Sequence, residues 1–501
     1  MRLSFGIVIA CLIIMMDNKM PVEASSSPMS SKTASTRRSS LTKNKQNKYE
    51  RGTIDLYQPI DVEEDNFSVV AAVRETTSWL ESNDAKGLLC ILGGALMHIT
   101  LGTLYCWGNF QSYAPEGLKF FDGKSHPGAT PDSSFVMPVT LVAQCLAMPF
   151  GAKLAAKYGA RATMILGAAI VSTGVFCASY MTTLTSFLTF YAVLFGVGIG
   201  LSYTSPMMAG WKWLPNKKGL VSGAILMGFG AGGFLFNIIG TNLVNPLKHN
   251  PVDGTFPQEV YDRFPRMLRT LATMYLVGGL AGSMLVTEPK KDANAAKAPP
   301  PPGVSVEEAL KSPQFWLMWS MIVSSASAGL NVAAIYKQFA ATSPALTGDS
   351  FQALVGGLGA LFNGVGRLFW GQLSDGIGFK KSFTILTVVQ AMLHAYYPYA
   401  TDSKLAYGAV TCLCFFFLAG NFALMPPAIQ KMFGARNGAL IYGLVYSAFG
   451  VASIGGMILG KSLKASFGFE GVFGVLSLMS MVGAVITSQL QPLKSLPSSS
   501  V

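Results

Sequence analysis

Apolar residues along this chain run in long unbroken stretches, and polar residues gather in the gaps between them. A hydrocarbon core of roughly 30 Å is crossed by about 20 residues of α-helix. Twelve stretches of that order can be drawn, at 87–109, 134–153, 162–180, 184–207, 219–244, 267–287, 314–336, 351–373, 382–399, 405–427, 437–460 and 470–489. None alternates with a period of two, which excludes the pattern of a transmembrane β-barrel. A hydrophilic stretch at 288–312 follows the sixth, opening with Glu288, Pro289, Lys290 and Lys291 and including the run from Pro299 to Pro302. The pattern predicts an all-α membrane protein of twelve transmembrane helices in two six-helix bundles, 87–287 and 313–490. The segment 288–312 becomes a linker between them, and tails at 1–86 and 491–501 flank them.

Composition agrees with that division. Hydrophobic residues make up 50% and charged residues 12%, where soluble domains hold about 25% charged. The net charge of +12 raises nucleic acid as a partner, yet its placement reads as topology. With the N-terminus inside, the loops after even-numbered helices, together with the adjoining span ends, hold 14 Lys and Arg against five acids. The opposite loops and their span ends hold 10 and nine. The basic tail before the first helix adds to the bias and places both termini inside. The lipid bilayer is thus an expected partner and nucleic acid is not. Cys11, Cys90, Cys106, Cys145, Cys177, Cys412 and Cys414 all fall in apolar runs without metal-ligand spacing. They read as small apolar fillers, and no metal site is expected.

The N-terminal tail resembles targeting sequence. Arg2 precedes an apolar run from Leu3 to Met16, too short to span comfortably. Val22-Glu23-Ala24 fits a cleavage site, and an acid-free stretch from Ala24 to Lys48 has the composition of a transit peptide. The expected location is the plasma membrane or an endomembrane, with a plastid envelope as the alternative.

A weak internal repeat supports two equivalent halves. Gly371-Gln-Leu-Ser-Asp375-Gly-Ile-Gly378-Phe-Lys380-Lys381 follows the eighth span. Ala152-Lys-Leu154-Ala-Ala156-Lys157-Tyr-Gly159-Ala-Arg161 follows the second, with equivalent positions 219 residues apart. Both resemble the loop signature of the major facilitator superfamily, although the first copy has Ala152 for the first Gly and Ala156 for the Asp. The resemblance implies the major facilitator fold, in which two bundles enclose a midplane site and rock about it. Gly371, Asp375, Lys380 and Lys381 are then expected to gate. Glycine permits close helix approach, and a carboxylate facing helix N-termini and cations makes a contact that can break and reform.

Placement of charge against the spans singles out one residue. All 25 Asp and Glu fall in tails, loops or helix ends. Of 37 Lys and Arg, Arg367 alone sits well inside a predicted span. An uncompensated Arg at that depth costs at least ~2.5–3.5 kcal/mol on insertion scales. Water, helix carbonyls or an anionic ligand must stabilise it. A guanidinium also matches a carboxylate, to which it donates two parallel hydrogen bonds. Arg367 is therefore the predicted anion-binding residue, and the expected partner is a small organic anion.

Further residues carry a closer resemblance. Leu104-Tyr105-Cys-Trp107-Gly-Asn109-Phe110, Trp213-Leu-Pro215-Asn-Lys217-Lys218-Gly219, Phe315-Trp316, Asn363-Gly-Val-Gly366-Arg367, Phe433-Gly434-Ala-Arg436-Asn437 and Tyr442-Gly443 are similar to motifs of the oxalate/formate antiporter family. The likeness spans roughly 87–490 and extends distantly to the monocarboxylate porters. It implies that an arginine at the place of Arg367 binds the substrate carboxylate. Oxalate carriers add a lysine in the eleventh helix, where this chain reads Tyr446-Ser447-Ala448-Phe449-Gly450. With one cation, a monocarboxylate such as formate, lactate or pyruvate suits better than oxalate. The porters' acid one turn before the arginine is here Asn363, and their first-helix lysine falls near Asn109. Without a buried carboxylate, exchange or uniport is expected, and His98 or His394 is the candidate for any proton coupling.

Tyr105, Trp107, Asn109, Asn331, Tyr336, Asn363, Asn421, Tyr442 and Tyr446 are the remaining candidates to line the site; Tyr442 and Tyr446, four apart, share a helix face. Two other readings fit the residues less well. A carrier for a neutral sugar or drug leaves Arg367 unexplained, and a non-transporting receptor calls for a folded soluble domain that tail and linker are too polar to form. No phosphate loop or nucleophile constellation appears, so neither catalytic residues nor a cofactor is expected. The carrier is expected to act as a monomer.

Overall fold

The computed structural model describes residues 83–124, 131–249, 251, 255–289, 303–346 and 349–491. The targeting-like tail and the proline run of the linker lie outside the described residues. Backbone polar groups in hydrocarbon must be satisfied within the segment, so the apolar runs become helices. They are α1 (Asp84–Tyr113), α2 (Val136–Tyr158), α3 (Ala160–Ala178), α4 (Leu184–Trp213), α5 (Lys218–Val244), α6 (Gln258–Leu285), α7 (Pro313–Ala340), α8 (Asp349–Ile377), α9 (Phe379–Tyr396) and α10 (Lys404–Phe433). A final helical stretch, Gly438–Gln489, breaks at Gly468, whose φ of +66° is non-helical. It divides into α11 (438–467) and α12 (469–489).

Among the described residues, α1 to α12 stand on the twelve apolar runs. Eight of the continuous helical stretches are long and apolar enough to cross a membrane. α6, α8 and α9 carry more polar residues within their length and fall outside that group. No strand interrupts the helices among the described residues.

The repeat in sequence is also a repeat in backbone. Gly159 and Gly378, 219 residues apart, adopt φ values of +89° and +86° between α2 and α3 and between α8 and α9. Only glycine takes up that region without strain. Two residues on, each copy places a cation at the same job. Arg161 donates to the carbonyls of Met284 and Val286 at the end of α6. Lys380 donates to those of Ser488 and Leu490 at the end of α12. Each cation satisfies carbonyls left free by the last helix of its half.

Contacts between the halves run along two seams. α5 packs on α8, and α2 packs on α11. A Cβ on Gly371 would overlap the Gly219 carbonyl, so glycine at both positions lets α5 and α8 touch backbone to backbone. The far end of the linker folds as a short helix, Val306–Lys311, with a Ser305–Glu308 capping box. Val304 N–H donates to the Phe433 carbonyl and Asn437 Nδ2 to the Val304 carbonyl, which fixes the linker on the α10–α11 turn.

Candidate functional site

Arg367 lies at mid-length in α8 with no exposed surface. Its Nε donates to Asn363 Oδ1 at 3.2 Å, one turn back on the same helix. The terminal nitrogens cross to the other half: Nη1 donates to the Leu226 carbonyl on α5 at 3.3 Å and Nη2 to the Tyr105 hydroxyl on α1 at 3.4 Å. All three acceptors are neutral and all three bonds are long. The guanidinium also lies over the rings of Phe422 on α10, 4.6 Å away, and Phe229 on α5, 5.2 Å away. Two such faces contribute roughly 0.5–2 kcal/mol each. Among the described residues no Asp, Glu or Lys is buried. The charge is therefore held by dipoles and π faces alone, with no counter-ion.

An aromatic and amide shell surrounds it. Phe449 on α11 stacks on Phe422 with ring centroids 4.5 Å apart. Tyr446 lies 4.6 Å from Phe449 and accepts a hydrogen bond from Gln144 Nε2 on α2, tying the halves together beside the cation. Tyr203 on α4 packs 5.3 Å from Tyr446 and 5.2 Å from His98 on α1. The hydroxyl of Tyr203 lies close to those of Tyr442 and Tyr446, in contact range but short of hydrogen-bond geometry with either. The Tyr442 hydroxyl is likewise buried without a partner. A hydroxyl left in that state costs about 1–3 kcal/mol. His98 Nδ1 bonds the Gly94 carbonyl at 2.9 Å, and its Nε2 has no partner.

Of the residues singled out from sequence, Arg367, Tyr105, Asn363, Tyr442, Tyr446 and His98 come together here. Others serve elsewhere. Trp107 Nε1 donates to the Ser133 carbonyl and its ring packs on Phe187 and Tyr191, inside the first half. Asn109 ties α1 to Thr241 of α5. Asn331 donates to the Ser327 carbonyl and packs on Gly456 and Gly460 of α11. Tyr336 packs on Phe415 and against Gly356. Asn421 is buried beside Phe422, bonded only to its own helix, with Oδ1 unpartnered. His394 on α9 faces α12, where its Nδ1 meets Ser480.

The gating expectation divides in the same way. Asp375 accepts from Gly219 N–H at 2.9 Å and Leu220 N–H at 2.7 Å, so it caps the N-terminus of α5 across the seam. Lys431 and Lys217 add their charges from nearby. Lys380 does not join this cap, because its ammonium is engaged at the end of α12. Lys381 is exposed.

Tyr203 and Gln144 were not among the residues singled out. A signal existed: Ser202-Tyr203-Thr204-Ser205 is a polar island in an apolar span, and Gln144 is the one amide in its own. Phe229 and Phe422 gave none, since 32 phenylalanines share the chain. An apolar groove of about 580 Å³, lined by Val142, Leu146, Phe150, Val197 and Ile454 among others, contains none of the residues around Arg367. No group of three potential metal ligands occurs among the described residues.

Among the described residues, helices of both halves meet at one buried cation. The chain belongs to the Major Facilitator Superfamily, whose model matches residues 124–352 and 331–498. It is 28% identical to apicoplast pyruvate carrier 1 of Toxoplasma gondii over 82% of this chain and 90% of that protein. It is 26% identical to the oxalate:formate antiporter of Oxalobacter formigenes over 80% and 90% respectively. Among solved structures, the proton:xylose symporter XylE aligns with a TM-score of 0.60 at 12% identity, covering 82% of this chain and 97% of that one. That likeness shows the fold. The protein is a multi-pass integral membrane transporter.

Proposed function

We propose that this transporter moves a small monocarboxylate, of the formate, lactate or pyruvate kind, by binding its carboxylate at Arg367. The observation that carries the reading is a fully buried guanidinium whose acceptors are Asn363 Oδ1, the Leu226 carbonyl and the Tyr105 hydroxyl. Bonds to ionised acceptors are roughly twice as strong as bonds to neutral ones. A carboxylate arriving at Nη1 and Nη2 would replace Leu226 and Tyr105 and release the link between the halves. Phe449, in place of a second cation, favours one negative charge over two. The names of the relatives, a pyruvate carrier and an oxalate:formate antiporter, support the same class of cargo. The apicoplast relatives also support a plastid envelope as its membrane.

Charge bookkeeping bears on mechanism. The loaded centre is neutral and the empty centre carries +1, so the empty form crosses less readily in a low-dielectric interior. Exchange of one anion for another is the mode this favours. The reading is tested in proteoliposomes with a panel of labelled short-chain acids and one neutral sugar, with and without internal anion. Acid uptake stimulated by internal acid supports it; sugar uptake with no acid uptake overturns it.

A further inference from the structure

The proposal rests on Arg367 as the carboxylate site and extends it to the rest of the cargo. Tyr203 on α4 and Tyr442 on α11 come from opposite halves and join the ring shell of the same guanidinium, Tyr203 through Phe229 and Tyr442 through Tyr446, Phe449 and Phe422. Both are buried, at 1% and 0% exposure, and neither hydroxyl has a hydrogen-bond partner among the described residues. Their rings are fixed rather than free. Tyr203 is wedged among His98, Phe229 and Tyr446, and Tyr442 packs edge-on against Tyr446, which Gln144 holds in turn. Two fixed phenols with unused donors beside an anion-binding cation make a polar subsite in an otherwise aromatic shell.

We infer that the Tyr203 and Tyr442 hydroxyls donate to an oxygen on carbon two of the cargo, so that the carrier selects 2-oxo and 2-hydroxy monocarboxylates over plain fatty acids. A carboxylate seated on Arg367 puts its second carbon beside the cation, among the rings of the shell that these two phenols belong to. Formate and acetate offer nothing there and leave both donors unsatisfied. A site built to hydrogen-bond a substrate group rejects the analogue that lacks it more strongly than an apolar pocket rejects an extra methylene.

The test compares 2-oxopropanoate with propanoate, which has the same chain length without the oxygen, as competitors of exchange in proteoliposomes. The wild type is expected to prefer the 2-oxo acid by about tenfold or more. Tyr203→Phe and Tyr442→Phe, measured separately, are each expected to shrink that ratio several-fold. Because the ratio is taken within each variant, it does not depend on how much carrier folds, and either variant suffices. A wild-type ratio near one, or ratios unchanged in both variants, overturns the subsite while leaving the Arg367 reading intact. Failure of both acids to compete overturns both.

Discussion

Phe449 lies flat on Phe422, their rings 11° from parallel, and the Arg367 guanidinium lies 4.6 Å from the Phe422 ring centre. The position where oxalate carriers are expected to hold a lysine is thus occupied by a ring that buttresses the cation's own support. Phe449→Lys should set a second positive charge near the first. Exchange of a dianion such as oxalate should then rise relative to a monoanion, with monoanion exchange falling as Phe422 loses its stacking partner. An unchanged ratio of dianion to monoanion exchange would contradict the assignment of charge selectivity to this pair.

Asp375 and Ala156 occupy equivalent places in the two copies of the loop motif, and only Asp375 caps a helix across the seam. Asp375→Asn should weaken the contact between α8 and the start of α5 by ~1 kcal/mol, as expected of a carboxylate at a helix N-terminus. Amide hydrogen exchange at Gly219 and Leu220 should rise by about fivefold. Unchanged protection at both amides would show that the cap does not hold the seam.

Arg161 and Lys380 each satisfy the last carbonyls of the sixth helix of their half. Arg161→Met and Lys380→Met should each lower stability by ~0.3–1 kcal/mol, seen as a small drop in the melting midpoint in detergent, with exchange activity retained. Loss of exchange at unaltered melting would return a gating role to these cations.

The Ser305–Glu308 capping box gives a pH signature outside the membrane. Hydrogen bonds from Ser305 hold the Glu308 carboxyl below its ordinary range. A depressed carboxylate contributes stability above its unfolded pKa of about 4.3 and loses it as pH falls through the lower folded value. Protection of the Val306–Lys311 amides should persist above that range and fail below it. Glu308→Gln should flatten the dependence; an equal dependence in the variant would contradict the cap.

Much of the architecture was legible because lipid allows so few solutions. Twelve long apolar runs gave twelve helices, and Arg367 stood out because an isolated cation in a span is costly. The break between α11 and α12 is a single residue, Gly468, where a polar loop was expected over 461–469. Side-chain direction was the harder part. Trp107, Asn109, Asn331 and Tyr336 sit in the right helices but face neighbours within their own half, because residue identity does not say which side of a helix meets the centre. His98 and His394 looked alike in sequence, and only packing separates the first, beside Tyr203, from the second, beside Ser480. Phe229 and Phe422 owe their role entirely to what they touch.

The most direct test of the central claim is exchange of a labelled monocarboxylate in proteoliposomes by the wild type and by Arg367→Gln, with folding checked by melting. The glutamine keeps polarity and approximate length but removes the charge and the paired donors. Loss of saturable exchange by at least a hundredfold in a folded variant is the predicted result. A folded Arg367→Gln carrier that exchanges carboxylates at the wild-type rate would contradict the account.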